Sequence, residues 1–429
     1  MKAFPLALCI VTILFAALAA QAYEFQPIGF ESIGMGGAGV ASASGAYAGY
    51  YNPALLTKHP YSVEVSLSGG TGIREYNLAD NIDKLHDVDL DQIFDDILNN
   101  AVTEEDEANI TTTLEVLTAM SGGQNGLFLM PTVSLGVQAQ NIGFGVFGIA
   151  DGSARAIIDP DHLRMIVHDT ETDTYLEYTS GTVVESNADD YADYSLEYAI
   201  DNDLNYLRLD GMALAEAPVS YARKFDLPLG AISIGGSLKY MEAMTYAGRT
   251  RIDTESGEIQ DQLDDNKKTS SALGVDVGLL LQPTAMPNLT FGLVAKNVNS
   301  PKFKSPVDDS DVKVKPMLRA GVAMALLNNT MDLAVDYDLT KNANSADTES
   351  QYLGGGVNFH PSSWLSVRAG AMQNVADSNE GTSLTAGLGF GLKWLQLDIA
   401  GVMSTKKGHF EGNSIPRYTR LNVSLVSRW

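Results

Sequence analysis

Met331-Asp332-Leu333-Ala334-Val335-Asp336-Tyr337-Asp338-Leu339-Thr340 decides the fold. Its odd positions carry Met, Leu, Val, Tyr and Leu, and Asp332, Asp336 and Asp338 stand between them. Successive side chains of a strand point to opposite faces, so this stretch has one apolar face and one acidic face. The helical period would mix the two. The same reading spreads outward from this segment. Leu273, Val275, Val277, Leu279 and Leu281 alternate with other residues, as do Leu318, Ala320, Val322, Met324 and Leu326. So do Leu384, Ala386, Leu388, Phe390 and Leu392. Leu395, Leu397 and Ile399 alternate with Gln396, Asp398 and Ala400. At the end, Leu421, Val423, Leu425 and Trp429 alternate with Arg420, Asn422, Ser424 and Arg428.

This pattern predicts about fourteen strands, with ends good to about 2–4 residues. They fall near 61–72, 127–138, 141–150, 213–225, 229–246, 269–282, 287–297, 316–326, 330–341, 350–360, 364–373, 383–393, 394–404 and 417–429. Phe147 and Ile149 blur the alternation of the third. The connections then run long, short, long, short to the end. The short ones are Gln140, Asp226-Leu227-Pro228, Pro283 to Met286, Asn328-Asn329, Pro361 to Ser363 and Lys393-Trp394. The long ones are 73–126, 151–212, 247–268, 298–315, 342–349, 374–382 and 405–416. A soluble sandwich has no reason to keep that rhythm. A barrel in a bacterial outer membrane does, with short periplasmic turns and long outer loops. An even strand count then predicts both chain ends on the periplasmic side.

Closure follows from solvent. In hydrocarbon an unpaired backbone donor or acceptor costs several kcal/mol, which forbids an open sheet edge. Strands of about 9–11 residues suffice to cross when tilted, and the outward sets quoted above hold no Lys or Arg. The sequence therefore predicts an all-β fold: a closed antiparallel transmembrane β-barrel of about 14 strands. It carries an N-terminal plug and a helical outer loop. By parity Glu216, Lys239, Asp276, Lys296, Arg319, Asp332, Asp336, Arg368, Asp398 and Arg420 face the lumen. Charges of both signs there read as a paired network around the plug.

The chain carries a net charge of −25, which excludes nucleic acid as a partner. The acid is concentrated. Segment 73–126 holds 13 Asp and Glu and segment 151–212 holds 15, more than half of the total of 53. Both segments are long connections, so both are expected on the outer side, where they offer a surface to a basic protein partner. The first residues read as a signal peptide: Lys2, the uncharged apolar run Leu6 to Ala19, and Ala20-Gln21-Ala22 as the small-x-small cleavage site. The domain reading is 1–22 signal peptide, 23–60 hatch, and 61–429 barrel. Cys9 is the single cysteine and leaves with the signal, so no thiol chemistry is expected of the mature chain. No later run reaches 18 apolar residues, which excludes a helical membrane protein.

Ile33-Gly34-Met35-Gly36-Gly37-Ala38-Gly39-Val40-Ala41 is rich in glycine. It lacks the strand, the Lys-Ser/Thr pair and the downstream acid of a phosphate loop. It reads instead as backbone packed where side chains do not fit. Tyr50-Tyr51-Asn52-Pro53-Ala54 follows, with Asn-Pro as a turn starter. Together, Met35 to Ala41 and Tyr51-Asn52-Pro53-Ala54 resemble the N-terminal pattern of the FadL-type family of outer-membrane proteins. Within that group the chain most resembles the branch labelled conjugal transfer TraF. Lys296-Asn297-Val298-Asn299-Ser300-Pro301 and Ala334-Val335-Asp336-Tyr337-Asp338-Leu339-Thr340 resemble the same branch. The resemblance implies a small hatch inside a fourteen-stranded barrel. Its motif would be Asn52, Pro53 and Ala54, and its tight backbone Gly36, Gly37 and Gly39. It further implies passage of fatty acids or other hydrophobic compounds across the outer membrane. A redox role does not follow, because no mature cysteine remains.

Segment 82–120 reads as helical, with Leu90, Ile93, Phe94, Ile97 and Leu98 on one face and a second helix opened by Glu104-Glu105-Asp106-Glu107. A cap over the barrel and a surface that gathers ligand both fit this. Asp87, Asp89 and Asp91 are not a calcium loop, since Gln92 and Leu98 stand where Gly and Glu are required. The six histidines form no paired spacing with Ser, Asp or Glu, so the sequence predicts no catalytic residue, no metal and no cofactor. The expected function is a passive carrier of hydrophobic small molecules in outer-membrane lipid. The competing expectation is a structural or docking protein for a secretion or conjugation assembly.

Overall fold

The computed structural model describes residues 22–59, 61–85, 88–122, 125–250, 266–307, 311–344, 348–392, 394–410 and 413–429. The expected signal peptide lies outside the described residues but for Ala22. Fourteen long strands form one sheet: β1 Val63–Glu75, β2 Leu127–Ala139, β3 Ile142–Ile157, β4 Tyr206–Leu227, β5 Gly230–Thr250, β6 Lys267–Pro283 and β7 Leu289–Lys296. The second half is β8 Met317–Leu326, β9 Met331–Asp338, β10 Tyr352–Ser362, β11 Leu365–Asn374, β12 Thr382–Leu392, β13 Leu395–Ser404 and β14 Tyr418–Arg428. Each pairs antiparallel with the next, and β14 returns to β1, with Leu67 opposite Leu425 and Gly69 opposite Val423. The barrel is closed, as the alternation and the solvent argument require.

The wall presents oil outward. Val133 is 60% exposed, Leu273 57% and Leu421 55%, the reverse of a water-soluble fold. Trp364, Trp394 and Trp429, the three tryptophans of the chain, all stand exposed at the short-turn end. That is the place of an aromatic belt at a membrane–water boundary.

Strand ends depart from the sequence expectation. Strands β3, β4 and β5 run well past their predicted ends, so residues 151–157 and 206–212 are wall and not acidic loop. The ladder continues there beyond the apolar band, where neither face must be oily, so alternation fades while pairing persists. Phe147 and Ile149 are inward and buried against the plug. The lumen at that height is packed with aromatic rings rather than water, which is why β3 does not alternate cleanly.

The outer connections form a cap with a core of its own. Among the described residues three helices stand where the sequence suggested two: Leu78–Leu85, Leu90–Leu98 and Glu104–Ser121. Thr103 and Asp106 close a capping box on the third, and its first turn holds Glu104, Glu105, Asp106 and Glu107, where acid complements the helix dipole. Ile93, Ile97, Ile110, Leu117 and Met120 pack against Ile158, Met165, Val167, Leu196 and Leu207. The apolar helix faces are thus spent on a cap core. A small sheet, Met165–Asp169, Thr174–Thr179 and Thr182–Glu185, completes the cap. Within it Arg164 clamps Glu177 at 2.5 Å and Asp190 at 3.4 Å. Burial pushes the Glu197 carboxyl above its ordinary range, against the pull of the His168 amide that donates to it.

Candidate functional site

Residues 24–58 fill the lumen. Ala22–Tyr23 pairs in parallel with Asn342–Ala343 of an outer connection, and the Glu24 amide donates to the Ala343 carbonyl at 2.9 Å. Residue 22 therefore lies at the outer end of the barrel, not on the periplasmic side as strand parity suggested. Parity fixes only where the strands end. The plug adds a separate pass down the interior, through the short helices α1 Glu31–Gly34 and α2 Ala48–Tyr51, before β1 begins. Phe25, Phe30, Tyr47, Tyr50 and Tyr51 form its buried centre, against Phe147, Ile149, Met212 and Leu214 of the wall.

The wall carries glycine where plug backbone touches wall backbone. A Cβ at Gly292 would stand 2.5 Å from the Val40 carbonyl oxygen, one at Gly356 2.7 Å from Met35 Cα, and one at Gly370 2.7 Å from the Gly36 nitrogen. At Gly235 and Gly278 it would run into Pro53 and Asn52. Gly36 itself has φ of +68°, a conformation that a side chain disfavours. A Cβ at Gly292 meets plug backbone alone, so Gly292→Ala should cost the seated plug about 1–3 kcal/mol by overpacking. Faster protease cleavage within residues 35–41, with the barrel intact, is the expected reading; unchanged protection would show that the wall yields.

Asn52 is fully buried. Its amide donates to the carbonyls of Val40 at 3.0 Å, Leu279 at 3.3 Å and Leu293 at 3.4 Å, and its oxygen accepts the Ala54 amide at 3.0 Å. Pro53 starts the turn that Asn52 caps. Gly36 donates to Thr385 Oγ1 at 2.9 Å, and Arg319 donates to the Gly37 carbonyl at 3.0 Å. The Gly39 and Val40 amides both donate to one Asp336 oxygen, at 2.7 and 2.9 Å.

The charges assigned to the lumen by parity fall into paired groups. Arg319 reaches Asp336 and Asp338, each at 3.4 Å, and lies over the Phe25 ring. Lys239 bridges Glu216 at 3.0 Å and Asp276 at 3.1 Å. Arg368 meets Asp398 at 2.7 Å beneath Phe30. Asp332 is different: half-buried near the periplasmic mouth, it faces His360 at 3.7 Å. Lys296 has ring faces and a carbonyl as its near contacts, lying 3.7 Å from the Tyr50 ring centroid and donating to the Tyr50 carbonyl at 3.2 Å. The two motif stretches quoted earlier, 296–301 and 334–340, are thus the wall side of plug docking.

Sequence reasoning missed the outer latch. Arg74 takes Glu24 at 2.6 Å and Glu380 at 3.1 Å, donates to Tyr352 Oη at 2.7 Å, and lies over Tyr418. Parity could have flagged Arg74 had its strand been read to Glu75. Glu24 and Glu380 sit outside any periodic pattern. Arg420 holds Gln26 at 3.1 Å, and Asn422 donates to the Gly29 carbonyl at 2.8 Å.

The wall has a weak place. The β2–β3 ladder skips from Leu129–Gly152 to Thr132–Ile149, at Pro131, and the β3–β4 ladder skips from Phe144–Val219 to Phe147–Glu216, at Pro218. Proline has no N–H to give to a ladder. Beside the first break a cleft of about 410 Å³ opens on the lipid side, lined by Pro131, Val133, Ile149, Leu214, Ala215 and Met244 among others. Ile149 and Leu214 also belong to the plug-packed centre. Among the described residues no cluster of metal-ligating side chains is present.

The fourteen-stranded barrel with its N-terminal plug is the architecture that the FadL-type resemblance implies. Among solved structures, the chain is similar to the toluene transporter TbuX of Ralstonia pickettii, at 14% identity over 95% of this chain and 99% of that one, with TM-score 0.48. It is similar to the toluene transporter TodX of Pseudomonas putida, at 11% over 95% and 98%, TM-score 0.46. A FadL homologue of Pseudomonas aeruginosa aligns at 8% over 95% and 99%, TM-score 0.46. No curated protein matches. Residues 49–338, from the plug to the end of β9, match one family, and the chain belongs to it: the family described as F plasmid transfer operon, TraF, protein.

Proposed function

We propose that this chain is a passive outer-membrane conduit for hydrophobic small molecules, with residues 24–58 as a hatch and Asn52, Pro53, Ala54 and Gly36, Gly37, Gly39 as its seat. The cleft beside Pro131 carries the reading. An apolar molecule needs no water-filled pore. It needs an oily path from the lumen to the bilayer, and Ile149 and Leu214 separate the aromatic plug centre from the lipid by one side chain. The ladder there already lacks pairs, so parting the strands breaks fewer hydrogen bonds than along an unbroken ladder. The test is blockage from the lipid side. Ala215→Trp fills the cleft without touching the plug. Uptake of N-phenyl-naphthylamine into proteoliposomes is expected to fall at least tenfold. Uptake at the wild-type rate would sink the conduit.

A second reading is docking of a basic protein on the acidic outer cap, favoured by the exposed edge strand Thr182–Glu185. Because residues 151–157 and 206–212 are wall, the deletion that tests it is 158–205. Capture of the same partners with and without that segment would remove the idea.

A further inference from the structure

Glu242 lies on the lipid side of β5, exposed, in the wall cleft, between the outward-facing Tyr240 and Met244. It is the one charged side chain among the described residues that line this cleft. The other residues there are apolar or small, apart from the hydroxyls of Thr132 and Thr269. On the lumen side of β4, β5 and β6, Glu216, Lys239 and Asp276 are tied together. Glu242 has a single long hydrogen bond, from Tyr240 Oη at 3.4 Å, and no ion pair among the described residues. A carboxylate bordering hydrocarbon is costly to keep, and such residues commonly mark a path or a ligand. Tail and head have separate places here. Val133, Ile149, Leu214, Ala215 and Met244 offer an oily bed, and the carboxylate stands at its side, on the rung of Ala215.

Resting on the conduit reading, we propose that Glu242 selects the head group of the molecule that occupies this cleft. It favours an amphiphile ending in an amine over the same chain ending in a carboxylate. An ammonium donates a charge-assisted hydrogen bond to Glu242 at the rim of a low-dielectric surface, where such a bond is strong. A carboxylate in the same seat meets like charge, which builds discrimination by repulsion as well as attraction.

Equilibrium dialysis of dodecylamine, dodecanoate and dodecan-1-ol against the full-length protein in non-ionic micelles tests this, with empty micelles subtracted. Wild-type protein is expected to prefer the amine to the carboxylate by tenfold or more, the size of one charge-assisted hydrogen bond. Glu242→Gln, of the same shape, is expected to bring the two within about threefold. An amine-to-carboxylate ratio equal in the two proteins overturns the selector. The Ala215→Trp arm separates this from the conduit. If it loses all three ligands while Glu242→Gln leaves the ratio unchanged, the cleft stands and only the selector falls. If it still binds dodecan-1-ol as the wild type does, the cleft is not the seat and both fall together.

Discussion

Asp336→Ala is expected to turn a closed barrel into a leaky one. One Asp336 oxygen accepts the amides of Gly39 and Val40, and the carboxylate faces Arg319 in a site where neither residue meets solvent. Removing one partner of a buried pair costs about 3–5 kcal/mol, because the remaining charge is left uncompensated. Arg319 keeps Asp338, the Gly37 carbonyl and the Phe25 ring, so the low end, about 3 kcal/mol, is the expected cost. The barrel does not share this cost. Gly321–Asp336 and Asp336–Gly354 pair through backbone, which the substitution leaves in place. The free energy is lost from hatch docking, and about 3 kcal/mol shifts the seated-to-unseated ratio by about a hundredfold. Planar-bilayer recordings are expected to show frequent openings where the wild type is silent, with heat-modifiable gel mobility retained. Asp336→Asn keeps an acceptor for the two amides and should fall between. A silent Asp336→Ala channel would mean that Asp336 is not what holds the hatch.

Asn52→Ala is the second large effect, and it loosens the hatch from within, since Asn52 holds the carbonyl of the same Val40 whose amide Asp336 accepts. The side chain serves three carbonyls and one amide and is fully buried. Each buried polar group left without a partner costs about 1–3 kcal/mol, and losing the cap on the Pro53–Thr57 turn adds about 1. A total near 3 kcal/mol is expected, again taken from docking. The isosteric Asn52→Asp makes the prediction specific. It fills the same volume and still accepts from Ala54, but it points a carboxylate at three carbonyl oxygens. If volume were what mattered, Asp would be mild. If donation matters, Asp will leak at least as much as Ala. Uptake of an apolar probe by cells carrying each variant decides, with barrel content matched on gels. Equal uptake in all three would remove Asn52 from the hatch seat.

How legible this was differs by feature. The strand segment 331–340 showed its two faces directly, because period two is a property of neighbours in the chain. The inward charges Arg319, Asp336, Arg368 and Asp398 were readable by parity alone. Their partners were not. Gly36 meets Thr385 across 349 residues, and Arg74 meets Glu24 and Glu380 from opposite ends of the chain. The glycines of the wall gave a signal of close approach without naming what approaches. Glu242 gave none, since one acid among apolar neighbours looks like any strand rim.

The order of side chains thus determined a closed barrel, its oily exterior, its charged interior and the side on which the long acidic segments lie. Lipid on one face and an enclosed space on the other leave an alternating chain no other arrangement. Tertiary structure alone decided that residue 22 sits at the outer mouth, which glycines admit the plug, and where the wall opens at Pro131. Those depend on how fourteen tilted strands are staggered around a filled lumen, and stagger is a relation between distant segments that no local period records.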